Sequence, residues 1–170
     1  MLNIVLYEPL IPENVGNIMR TCVALNAHLH IIEPVGFNLD DARMKRAALD
    51  YRQFSQITYY LDFNNFMERN LPEQIYFLSR YAKKCYSDIQ FSKNKPVYLM
   101  FGKETTGIDK AILKANLDKC FRIPMSKNVR SLNLANTVAI VGYFWAEKLN
   151  FPEMEKLEPE CFKGSDFLEK

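Results

Sequence analysis

The sequence predicts an α/β domain with a mainly parallel sheet flanked by helices. Short β-branched and aromatic runs alternate along the chain with segments of helical periodicity, the pattern of strand and helix layers. Runs such as Ile4–Tyr7 and Val97–Phe101 are apolar throughout, as strands covered on both faces must be. The polar, glycine-bearing segments follow such runs, where an open parallel sheet gathers its ligand loops.

Taken in order, Ile4–Tyr7 is a strand by its unbroken apolar run. Asn14–Leu25 is a helix, with Ile18, Cys22 and Leu25 at helical spacing and Asn26 as its stop. His28–Ile32 is the second strand, closed by Glu33-Pro34. Asp40–Asp50 is a basic helix, Ile57–Leu61 a β-branched and aromatic strand, and Asn64–Asn70 a short helix closed by Leu71-Pro72. Ile75–Leu78 is a strand, and residues 80–95 form a polar loop with a poor edge strand. Val97–Phe101 is the fifth strand, Asp109–Ala115 a short helix with Asp109 as N-cap, and Cys120–Ile123 the last strand. Leu134–Leu149 is the longest helix. Residues 1–150 are expected as a single domain, and the acidic, Pro-broken residues 151–170 as a tail or appendage.

Composition narrows the function classes. The 170 residues are 48% apolar and 25% charged, with a net charge of +2, enough chain for a real core but no overall basicity that announces a nucleic-acid binder. Basic residues do gather locally, at Arg43, Lys45, Arg46 and Arg52, at Arg80, Lys83 and Lys84, and at Arg122, Lys127 and Arg130. Four dispersed cysteines without a C-x-x-C pair offer neither a disulfide framework nor a metal site. His28 and His30 share one strand face with no metal-ligating partner in sight and read as ordinary strand residues. The N-terminal run Met1–Glu8 lacks a basic leader and no apolar run reaches membrane-spanning length, so a cytoplasmic protein with reduced thiols, no metal and no membrane partner is expected.

Unusual polarity collects in three places: Pro12–Thr21, Phe101–Gly107 and Ile123–Tyr143. Core packing gives no reason to bring Arg130, Ser131, Asn133 and Asn136 so close together before a helix, whereas a polar ligand at a helix start does. Gly102 would let a ligand lie against the main chain, and Gly107 would supply a positive φ. No G-x-x-x-x-G-K-[ST] or G-x-G-x-x-G is present, which disfavours P-loop and Rossmann sites. Neither histidine falls in the polar segments, so a hydrolytic triad is disfavoured. Arg, Asn, Ser and backbone amides suit binding and orientation better than covalent catalysis.

These three segments, in this order, resemble the SPOUT class of RNA methyltransferases. Met1–Tyr7, Asn14–Arg20, His30–Phe37 and Leu49-Asp50-Tyr51 look closest to the branch that methylates the 2′-hydroxyl of the wobble nucleotide, cytidine or modified uridine, in certain leucine tRNAs. The resemblance covers about residues 1–150 and implies a deep C-terminal trefoil knot, bound S-adenosylmethionine, a homodimer and a tRNA anticodon stem-loop as partner. Position by position it implies Leu78, Gly102, Ile123, Met125, Ser131 and Leu132 as cofactor contacts and Arg20 as the catalytic arginine. It places Glu104 and Asn133 at motif positions and Tyr143 at a tyrosine linked to substrate RNA, all three taken as RNA-side residues; the basic residues Arg43, Lys45, Arg46 and Arg130 are the candidate phosphate contacts. Another RNA target such as rRNA, or a catalytically idle knotted RNA-binding protein, remain the alternatives. The 80–95 loop and the tail depart from the family pattern.

Overall fold

A computed structural model of the protein describes residues 1–38 and 41–169, apart from the side chains of 50, 52 and 54. In chain order the elements are β1 (Leu2–Tyr7), α1 (Pro12–Ala24), β2 (His28–Ile32), α2 (Ala42–Ala48), β3 (Ile57–Tyr60), α3 (Phe63–Asn70) and β4 (Gln74–Leu78). They continue with β5 (Lys84–Cys85), β6 (Val97–Phe101), α4 (Lys110–Ala115), β7 (Cys120–Arg122) and α5 (Leu134–Lys148). The expected helix start at Asp40, and the side chains of Asp50 and Arg52, lie outside the described residues. The edge strand expected somewhere in 80–95 is β5, only two residues long, so the strands expected as fifth and sixth are sixth and seventh.

The seven strands form one sheet in the order β3-β2-β1-β6-β4-β7-β5, and every strand pair in it is parallel. Successive residues of β1 point to opposite faces. Leu2, Ile4 and Leu6 join Val15 and Ile18 of α1, Met44 of α2 and Val138, Val141 and Trp145 of α5 on one face. Val5 and Tyr7 join Phe66 of α3, with Leu113 of α4 against them, on the other. Helices therefore cover both faces, and the strands are correspondingly apolar. Asp62 caps α3 through Asn65 N (2.8 Å) and Asp109 caps α4 through Ala111 N (2.6 Å), each satisfying an amide that the helix start leaves without a partner. Beyond α5 the chain turns back, with Phe151 and Met154 against the core and Glu153 accepting from Asn26 Nδ2 at 2.7 Å. Among the described residues no helix is long and apolar enough to cross a membrane.

The histidines are less ordinary than their sequence context suggests. Asn3, His30 and Tyr60 are buried together. Asn3 Nδ2 donates to Val97 O at 3.2 Å, which turns Asn3 Oδ1 toward His30 Nε2 at 3.0 Å. The proton therefore sits on Nε2, and Nδ1 accepts from the Tyr60 hydroxyl at 2.7 Å. His28 stacks on His30 with centroids 4.3 Å apart and contacts Thr58 Oγ1 through Nε2 at 2.8 Å. Burial, with the neighbouring His28 ring adding to the effect, pushes the His30 imidazole down to about 3. An unfolded chain takes up that proton near pH 6.5, so stability is lost as pH falls from there toward 3. His30→Gln should lower the urea midpoint at neutral pH, because the network is broken. The same variant should lose less further stability than the wild type between about pH 7.5 and pH 5. Equal losses in the two proteins would contradict this.

Candidate active site

The carboxyl ends of β6, β4 and β7 lie side by side: Leu78 pairs with Phe101 on one flank and with Phe121 on the other. Over these ends opens a cleft of about 370 Å³ lined by Leu78, Gly102, Ser131 and Leu132 among others. A smaller recess of about 90 Å³ shares Leu78, Ser131 and Leu132 and adds Ile123 and Met125. The six residues expected as cofactor contacts thus line one continuous depression. Its composition is mixed: aliphatic Leu78, Ile123, Met125 and Leu132 share the lining with Ser131, Thr137 and the 102–107 loop. Such a lining suits a ligand with an apolar plane and a charged polar end. Sequence reasoning missed Ser79, Arg80, Tyr81 and Thr137 in this lining. The first three directly follow a buried strand end, which is the signal that marks them.

What holds the depression together is a polar chain across three segments. Glu104, on the loop after β6, accepts from Leu10 N (2.9 Å), Ile11 N (3.2 Å) and Asn14 Nδ2 (2.8 Å). Asn14 Oδ1 accepts from Asn133 Nδ2 at 2.9 Å. Asn133 caps α5, its Oδ1 accepting from Ala135 N (2.8 Å) and Asn136 N (3.2 Å). Every donor points the same way, from the amides of the α5 start toward the carboxylate. The side chains of Glu104 and Asn133 are thus engaged in holding the fold, while Asn133 stays exposed at the rim of the cleft.

Gly102 also has a reason beyond the one expected. A Cβ there would stand 2.2 Å from Gly107 C and Ile108 N, so the loop's own return, with its bridge between Lys103 and Gly107, excludes a side chain. Gly107 has φ +78, as expected of a loop end. The polar segment Pro12–Thr21 lies within α1, which starts two residues before the helix expected from Asn14; Asn14, Asn17 and Arg20 are presented along it.

The other expected residues lie apart from the cleft. Arg20 is exposed on α1 with its guanidinium 5.5 Å from the Tyr51 ring centroid. It lines a separate open hollow of about 800 Å³ with Asn17, Asn136 and Tyr143, which meets the cleft at Asn133. Tyr143 is 45% exposed, so it is not a core residue. Arg43 is exposed but bound to Asp41, with Nη2 to Oδ2 at 2.9 Å, and stands 3.7 Å from Glu13. That pairing weakens its case as an open phosphate contact. Arg46 and Arg130 are exposed. Among the described residues no group of His, Cys, Asp or Glu is arranged to hold a metal ion.

Gly102→Ala should cost about 1–3 kcal/mol in urea unfolding, because backbone atoms cannot yield to the new methyl. Gly107→Ala should cost about 1 kcal/mol through its positive φ alone. A Gly102→Ala protein as stable as the wild type would contradict the assignment.

Comparison with known proteins gives this geometry relatives. The model of the SpoU rRNA methylase family matches residues 1–143. The tRNA (cytidine(34)-2′-O)-methyltransferase of Escherichia coli K12 is 43% identical over 153 residues, 89% of this chain and 96% of that protein. A structure solved for insight into 2′-OH methylation of C/U34 on tRNA superposes with a TM-score of 0.81 at 35% identity, covering 88% of this chain and 97% of that one. The SpoU methyltransferase AviRb of Streptomyces viridochromogenes, solved with AdoMet, has a TM-score of 0.76 at 21% identity. It covers 91% of this chain and 59% of its own, and that likeness is one of fold alone. With its parallel sheet, its cleft over three strand ends and a family match that spans most of its length, the chain belongs to the SpoU rRNA methylase family.

Proposed function

We propose that this protein transfers a methyl group from S-adenosylmethionine to the ribose 2′-hydroxyl of the wobble nucleotide, cytidine or modified uridine, of tRNA, with leucine tRNAs as substrates. The observation that carries this reading is the cleft, in which Leu78, Gly102, Ile123, Met125, Ser131 and Leu132 come together over adjacent strand ends. The relatives named above support the target. The family's description, which names rRNA, favours an rRNA ribose as the second reading.

The residues present fit the cofactor. Leu78, Ile123, Met125 and Leu132 provide apolar walls for a flat base, and Ser131 and Thr137 provide polar groups beside them. When bound, the cofactor supplies an electrophilic methyl carried on a positively charged sulfur. The protein's part is to hold the acceptor in line and to stabilise charge growing on its oxygen. A guanidinium stays protonated under ordinary conditions, so Arg20 serves as a positioning and charge-stabilising group rather than as a base. Its exposure leaves both nitrogens of its fork open to a phosphate or ribose oxygen. Tyr143 and Arg130 flank the RNA side. The domain comprises residues 1–150, with the C-terminal segment threaded as a trefoil knot and residues 151–170 appended. The protein works as a homodimer in the cytoplasm. Exposed Ile140 and Tyr143 on α5 and four free cysteines are consistent with those two readings.

Incubation with labelled S-adenosylmethionine and total tRNA, followed by nucleoside mass spectrometry, should place the methyl on the first anticodon ribose. Label on rRNA alone would move the reading to the second target. Arg20→Ala should lower kcat about 10²- to 10³-fold with little change in cofactor affinity. Arg20→Lys should lose most of the activity as well, because an ammonium cannot reproduce the fork. A lysine variant with near-wild-type turnover would reduce Arg20 to a simple charge.

A further inference from the structure

A second hollow, of about 710 Å³, lies beside the cofactor cleft and is lined by Tyr7, Tyr81, Lys103, Lys110, Leu113 and Lys114 among others. Nothing in the reading above uses it. We propose that this hollow is a nucleotide-binding subsite for the substrate RNA, taking an unstacked base and its phosphate from the strand next to the methylated ribose. The proposal rests on the reading of the protein as an RNA ribose methyltransferase.

Four observations carry it. The two depressions are neighbours, because Tyr81, Lys103 and Thr106 line both of them. An RNA strand that reaches the cleft from the Arg20 side, where the two meet at Asn133, can continue across it into this hollow. Tyr81 is 66% exposed, unusual for a residue of its type, and the Arg80 guanidinium lies 4.7 Å from its ring centroid. An exposed aromatic ring with an arginine beside it is a stacking platform for a base. Lys110 and Lys114 are exposed and four residues apart on α4, hence on one helix face above the hollow. Neither forms an ion pair with a described residue. Finally, the acidic groups of the lining are already engaged. Glu8 pairs with Lys103, and Asp109 accepts from Ala111 N. Glu8 does so from φ +49, a conformation costly for a non-glycine residue. Three lysines against two carboxylates leave the lining with a net positive charge, and Ile108 and Leu113 give it an apolar floor. This is the division of labour that single-stranded RNA requires: phosphates outside, a base inside.

The test uses the full chain and direct binding of tRNA by fluorescence anisotropy, alongside methyl transfer and calorimetry with S-adenosylmethionine. Tyr81→Ala should weaken tRNA binding about tenfold, and Tyr81→Phe, which keeps the ring, should bind within about twofold of the wild type. The Lys110→Ala/Lys114→Ala protein should leave cofactor affinity unchanged. Its dependence of log affinity on log salt should be shallower by about 1.4, two single-strand contacts' worth. Wild-type tRNA affinity in both Tyr81→Ala and the lysine variant would overturn the proposal. An effect of the lysines without one of Tyr81 would leave a phosphate patch and overturn the base subsite. Variants that lose tRNA affinity while the wild type binds but does not methylate tRNA would uphold the hollow as an RNA site and overturn the tRNA-methylation reading. A wild type that binds no tRNA would overturn both.

Discussion

The chain of side-chain hydrogen bonds from the α5 start through Asn133 and Asn14 to Glu104 is the constraint on which the site depends. It joins residues 90 and 119 positions apart in sequence and ties together the three segments that border the cleft. Its polarity is uniform. The amides at the α5 start donate into Asn133, which donates into Asn14, which donates into a carboxylate that also collects Leu10 N and Ile11 N. Hydrogen bonds to a charged acceptor are worth about 1.5–3 kcal/mol each, and a chain of aligned dipoles ending on an anion is reinforced along its length. Removing any member leaves a part-buried polar group without a partner, so the chain ties these segments into one unit.

The sheet sets where that unit sits. A parallel sheet with helices on both faces leaves only the strand ends open. The order places β4 between β6 and β7. Polar loops that are distant in sequence therefore converge on one rim, and the apolar strand residues beneath them give the cleft its aliphatic wall. Gly102 belongs to the same design. The tight return from Lys103 to Gly107 is what lets Glu104 reach back to α1, and it leaves no room for a side chain at the strand exit. A methyltransferase needs a rigid pocket and an accessible acceptor side, and here the rigid side is internal to the fold while Arg20 and Tyr143 remain exposed.

Much of this was legible in the sequence because it is local. Apolar runs marked the central strands β1, β2, β4 and β6, helical spacing marked α1 and α5, and Asp109 announced its own cap. The resemblance supplied the six cleft residues. What was hidden is what depends on long-range geometry. Glu104 and Asn133 stand out only through the resemblance, at motif positions, and only the fold shows the partners that engage them. His30 looked ordinary because Asn3 and Tyr60, which fix its tautomer, come from two other strands. β5 is too short for periodicity to register. The return of the chain after α5 depends on contacts of Phe151 and Met154 with residues far away in sequence.

The most direct test of this account is cofactor binding by Glu104→Gln, measured by calorimetry with S-adenosylmethionine. The substitution keeps the shape of the side chain but removes the charge and turns one acceptor into a donor that faces Leu10 N, Ile11 N or Asn14 Nδ2. The account predicts an intact far-UV circular dichroism spectrum and cofactor affinity weakened about tenfold or more, in line with one or two lost charge-assisted bonds. Wild-type affinity in a folded Glu104→Gln protein would show that the polar chain does not shape the cleft.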